Sequence, residues 1–238
     1  MIPSKPIVLH VDPEHAGIRT LIVPILVLSL VFSYFVMRAV LDAVMETDAG
    51  PVLNCLAGLV LGLAIAAAGE WLMKRYWKSG KRVVVDLEGI HFRDKNKQVV
   101  TMRQDKPIYT LKWYFDLSSY HRAGRERRLP SKWKCFACQL MQDDKRLILF
   151  TFLSPRQADR LEERRDFNKI NPDEVYDTSL RNKVVRSLDR PVISSRILAG
   201  KNGRYWSSEQ RRWKEGMELT GDDFLVLAEV IEANEESN

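Results

Sequence analysis

The 238-residue chain carries 37 Lys and Arg against 31 Asp and Glu, a formal charge of +6. That length accommodates one ordinary domain together with a membrane anchor. Three cysteines (Cys55, Cys135 and Cys138) do not describe a disulfide framework, and with the absence of an Asn-x-Ser/Thr triplet they fit a reducing compartment.

The charge is unevenly spread. Residues 1–73 hold 3 basic and 6 acidic side chains, residues 74–165 hold 23 and 11, and residues 166–238 hold 11 and 14. A basic block directly after an apolar stretch points first to a membrane surface and second to nucleic acid.

Residues 1–19 read as a cytoplasmic N-terminal tail, and residues 20–73 as a transmembrane hairpin with helices at about 20–41 and 51–71. The run at 21–37 has no charge, Arg38 near its end can snorkel or pair with Asp42, and Pro24 falls in the expected first turn. The run at 51–69 is also uncharged and ends in Glu70-Trp71, then Lys74, Arg75, Tyr76, Trp77 and Lys78, an interfacial belt. The joining loop has no Lys or Arg, whereas Lys5 and Arg19 precede the first run and Lys74 to Arg82 follow the second. The positive-inside rule therefore predicts a multi-pass protein of the cell (inner) membrane with both termini cytoplasmic. Asn54, Gly58, Gly62 and Ala66 recur every four residues along one face of the second helix, and Ser29 and Ser33 form a small-residue face on the first. These are candidate helix-packing positions, within the hairpin or between copies. No acid or Lys lies in mid-membrane to mark an ion path.

Beyond residue 80 the period changes to that of strands. VVVD, Glu88-Gly89 and IHFRD predict a hairpin, and residues 99–104 a further strand. Along residues 108–120, Tyr109, Leu111, Trp113, Phe115 and Leu117 share the expected core face. Residues 122–132 form a basic loop, residues 133–142 and 145–152 pair about Asp143-Asp144, and Ser154-Pro155-x-Gln157 is a capping box that opens a helix.

The order of two apolar helices, DLEGIHFRD, YTLKWYFDLSSY, KRLILFTF and SPRQADRLEE resembles bacterial membrane proteins with a PH-like (YcxB-like) cytoplasmic domain. The resemblance covers roughly residues 20–165 and implies a bent antiparallel sheet capped by a helix. The expected fold class is therefore α+β: a transmembrane α-hairpin, then a PH-like β-sandwich or bent sheet over residues 80–168 capped by a helix, then a helical C-terminal extension over 169–238. In that extension Ser207 is the expected cap of a short helix ending at Gly216, and residues 222–233 form an amphipathic helix.

Catalytic signals are weak. Cys135 and Cys138 are three apart in a strand, facing opposite sides, with no second ligand pair for zinc. They read as half-buried packing residues. His91 reads as exposed on the polar face of its strand, and no histidine lies in a nucleophile motif. No catalytic residue, metal or cofactor is expected. The sharpest candidate is a basic surface of Lys74, Arg75, Lys78, Lys81, Arg82, Arg122, Arg125, Arg127, Arg128, Lys132 and Lys134, suited to anionic headgroups or a protein partner. The expected function is a non-enzymatic membrane-anchored interaction module that binds a protein partner or anionic phospholipid, or a second copy of itself. The alternative is an accessory subunit of a transport or assembly complex, interacting through the hairpin. No RNP-like or recognition-helix pattern supports nucleic acid as a partner.

Overall fold

A computed structural model describes residues 6–12, 16–44, 51–95, 97–118, 120, 126, 128–163, 167–175 and 192–235. The protein is α+β and divides into two compact units: Asp12–Ser79, and Met1–Val11 with Gly80–Asn238.

The first unit is a helical hairpin, α1 (Ala16–Val44) and α2 (Pro51–Tyr76). Each holds a segment long and apolar enough to cross a membrane, Thr20–Ala43 and Val52–Tyr76, and only 11% and 17% of an 18-residue apolar stretch within each is buried in the protein. Leu28, Phe32 and Phe35 of α1 and Val52 and Val60 of α2 are exposed, where the core hairpin of a water-soluble protein would cover such side chains. Helix α1 begins before the apolar run does. Pro24 therefore lies inside the helix and not in its first turn, where its missing N–H removes one ladder hydrogen bond. Arg38 pairs with Asp42 at 3.7 Å, and Lys74 with Glu70 at 2.6 Å, each one turn apart.

The small residues face the partner helix. A Cβ added at Gly58 would lie 2.9 Å from Tyr34 Cα, and one at Gly62 would lie 2.9 Å from Leu30 Cα. The backbones approach this closely only because neither glycine has a side chain. Ser29, Ser33 and Asn54 are buried and Ala66 half-buried, and the Ser29 hydroxyl donates to the Leu26 carbonyl at 2.9 Å. Gly58→Leu or Gly62→Leu is expected to cost about 1–3 kcal/mol of hairpin stability through overpacking. Thermal melting of the helical circular dichroism signal in detergent checks this, with the exposed Leu59→Ala as the control expected to melt unchanged.

The second unit is layered about two sheets. The first has the order β1-β2-β3-β4 and is antiparallel throughout: β1 (Ile7–His10), β2 (Lys81–Asp86), β3 (Gly89–Asp94) and β4 (Lys97–Arg103). The segment expected to be an N-terminal tail thus supplies an edge strand. Its Leu9 and Val11 are 2% and 1% exposed, which explains why it is drawn into the sheet. The β2–β3 turn is set by Asp86, whose carboxylate accepts from the Glu88 and Gly89 N–H groups. Gly89 has φ +142° and stands where a Cβ would be 1.9 Å from the Met102 carbonyl oxygen, so only glycine fits.

The second sheet has the order β8-β5-β6-β7-β9. Strands β5 (Tyr109–Asp116), β6 (Lys134–Gln142) and β7 (Lys145–Leu153) are antiparallel, while β8 (Asn168–Lys169) and β9 (Met217–Glu218) add in parallel at the two edges. Both faces of this sheet are buried. One face, with Phe136, Leu140 and Leu149, packs on Val83, Phe92 and Met102 of the first sheet. The same core takes in α3 (Pro155–Glu162) and, beyond the short α4 (Ser195–Leu198) and α5 (Gly203–Glu215), the last helix α6 (Gly221–Glu235). The other face, with Trp113, Phe115 and Ala137, packs on Trp206 and Tyr205 of α5 and Ile197 of α4.

The C-terminal region is therefore built into the domain and is no appendage to it. Helix α5 starts at Gly203, which leaves Ser207 inside it, while Gly216 does close it. The capping box of Ser154 and Gln157 opens α3 as the spacing predicts.

Candidate functional site

The described residues of the expected basic surface lie on several elements of the two units. Lys74 and Arg75 end α2, where the Arg75 guanidinium lies 5.5 Å from the Trp71 ring and 5.9 Å from the Tyr76 ring, and Lys78 is exposed just beyond. Lys81 and Arg82 open β2 and are half-buried. Arg128 and Lys132 are exposed in the segment before β6, while Arg122, Arg125 and Arg127 lie outside the described residues. That segment is pinned by Tyr120 and Leu129, which pack with Trp113 in the second core. Tyr120 and Leu129 thus lie on the face of the central sheet away from β1–β4, and Lys81 and Arg82 belong to the other layer.

Lys134 is committed within the fold. It pairs with Glu162 and lies 3.9 Å from Asp116, which also holds Lys169 at 2.8 Å. Both ammonium groups flank the Tyr114 ring, at 6.0 and 5.8 Å from its centre. Burial pushes the Tyr114 phenol above its ordinary value, with the Glu162 carboxylate adding to the effect. The hydrogen bond to Asp116 holds Lys169 above its own. This lattice ties α3 and β8 to β5 and β6.

On the opposite face lies a cluster of buried charges that the sequence does not announce. Arg212 and Glu209 of α5 and Glu126 are 3%, 0% and 5% exposed. Arg212 donates to Glu209 at 2.7 Å and to Glu126 at 3.0 Å, and its guanidinium lies 4.6 Å from the Phe150 ring centre. The Trp113 and Trp213 indoles each donate to Glu209 at 2.9 Å, and the Tyr120 hydroxyl also donates to it. Burial opposes the charge on Arg212 most strongly, but the neighbouring Cys135, Glu209, Tyr120 and Glu126 together overcome it and hold the guanidinium above its ordinary value. Burial pushes the neighbouring Cys135 thiol well up, so it stays neutral. Helix α5 is dense in charge, with Glu209, Arg211, Arg212 and Lys214. The sequence marks its buried side by Trp206 and Trp213, seven apart on one face, but not the charges buried with them.

Cys135 and Cys138 point into the two different cores at 0% and 1% exposure, more deeply than the half-buried position expected. His91 lies on the polar face of β3 but is buried, at 5% exposure. It is 3.1 Å from Asp86, and the Gln98 amide lies 3.5 Å from its other ring nitrogen. Among the described residues no group of three or more His, Cys, Asp or Glu side chains could hold a metal ion.

The polar face of the first sheet carries the remaining feature. Arg82 and Arg93 are directly opposite each other on β2 and β3. The Nε of each is buried without a hydrogen-bond partner, and neither side chain has an ion pair among the described residues. Comparison with protein-family models, curated proteins and solved structures finds no match to the chain.

Proposed function

We propose that the chain is a non-enzymatic, membrane-anchored interaction module. The hairpin crosses the bilayer twice, and a PH-like sheet domain is held at the inner surface, where its basic residues meet anionic lipid or a protein partner. One observation carries this reading. Strand β1, just before α1, pairs with β2, just after α2, and the Val11 N–H donates to the Lys81 carbonyl at 3.1 Å. The chain enters and leaves the hairpin through one strand pair, so two crossings return it to the side it left. The exposure of the apolar helices and the Lys74-to-Arg82 cluster support the same reading. The alternative, an accessory subunit docking through the hairpin, would need a face other than Gly58 and Gly62, because α1 occupies that one.

Cysteine labelling in sealed vesicles tests the topology. Thr47→Cys is expected to react with a membrane-impermeant maleimide from the outside only, and Asn238→Cys from the inside only, each compared with the unsubstituted chain. Labelling of both from the same side would refute the double crossing.

A further inference from the structure

We propose that Arg82 and Arg93 form a seat for a phosphate-type oxyanion on the polar face of the first sheet, filled in the membrane by the headgroup phosphate of an anionic phospholipid. The inference rests on the anchored reading for the source of the phosphate, but the seat itself stands on the sheet. The two residues are partners in the β2–β3 register, a position at which side chains stand about 5 Å apart. Like charges directly opposite on neighbouring strands repel. Elsewhere in the domain Arg212 has Glu209 and Glu126, Lys134 has Glu162 and Asp116, and Lys169 has Asp116. Arg82 and Arg93 have none among the described residues, although both are only half-exposed and each Nε is closed off from solvent.

The row they belong to is chemically consistent. Across the strands it runs His10, Arg82, Arg93 and Gln98, all able to donate a hydrogen bond and none an acid. The nearest carboxylate along β2, Asp86, is occupied by the Glu88 and Gly89 N–H groups and by His91. Two planar guanidiniums side by side match the oxygens of one phosphate, each offering a two-pronged fork. An anion between them turns the repulsion into a bridge. Arg82 is joined to the end of α2 by residues 77–81, a stretch that spans no more than about 20 Å, so a headgroup is always within its neighbourhood.

The test uses the full chain in an uncharged detergent, with melting temperature followed as ligand is added, since a ligand that binds only the folded state raises it. The probes are a short-chain phosphatidylglycerol below its micelle concentration, inorganic phosphate, and short-chain phosphatidylcholine. A saturable rise with phosphatidylglycerol, weakened roughly tenfold or more in apparent affinity by Arg82→Gln and by Arg93→Gln, is the expected result. Arg93→Lys should fall well short of full recovery, because an ammonium keeps the charge and loses the fork. Binding of inorganic phosphate with equal strength would keep the seat and assign it a soluble source. No saturable rise with phosphatidylglycerol or phosphate, or a rise untouched by the Gln variants, overturns the proposal. So does full recovery by Lys, which would mean diffuse charge. None of these outcomes bears on the vesicle labelling, so the seat and the anchor fail separately.

Discussion

Arg212→Ala is expected to destabilise the sheet domain by about 3–5 kcal/mol. Two carboxylates, Glu209 and Glu126, would remain buried without the cation that both now accept from. The stack on the Phe150 ring would be lost as well. Glu209→Gln should cost less, because an amide oxygen can still accept from the Trp113 indole. Denaturant unfolding checks both. Trp113, Trp206 and Trp213 surround the cluster and make fluorescence a local reporter of it. An Arg212→Ala loss under 1 kcal/mol would mean that water reaches the site.

Deletion of residues 1–11 should have an effect of similar size. It removes Leu9 and Val11 from the main core, each contributing about 1.5–3 kcal/mol by burial, and strips β2 of its hydrogen-bonded neighbour. A chain beginning at residue 12 is expected to unfold at lower denaturant than the full chain. A fragment of 80–238 should be stabilised by supplying residues 6–11 in covalent attachment. If the deletion leaves the unfolding midpoint where it was, the segment is the loose tail that its sequence suggests.

The legible parts of the fold were those coded by local pattern. The hairpin follows from two charge-free runs, and the Trp113, Phe115 and Leu117 face of β5 follows from alternation. The start of α3 follows from three residues, Ser154, Pro155 and Gln157. Illegible parts depend on partners far away in the chain. Ile7–His10 is a short strand whose only reason to be one is β2, on the other side of the hairpin. Strands β8 and β9 are two residues each, too brief to show a period.

The candidate site divides in the same way. A charge cluster such as residues 122–134 is easy to see in a sequence. Which of its members are free is not, because Lys134 is neutralised by Glu162 from a helix some distance on. Arg82 was one member of the candidate basic surface and Arg93 was not, and the pair gains its meaning from the register that sets them opposite. His91 was placed on the right face of its strand but on the wrong side of burial, because alternation assigns a face and not what covers it.

The pairing of β1 with β2 also orders the birth of the molecule. Strand β1 emerges from the ribosome first and has no partner until Lys81 follows, about 70 residues and on the order of 4–14 seconds later. Between them lies the whole apolar hairpin, so the two strands can meet only after both helices have been made. If the hairpin crosses a bilayer twice, a copy in which only one helix crosses would leave β1 and β2 on opposite sides, with Leu9, Val11, Val83 and Val85 uncovered. In a chain that crosses twice, the pairing of β1 with β2 would thereby be open only to a copy with both crossings made.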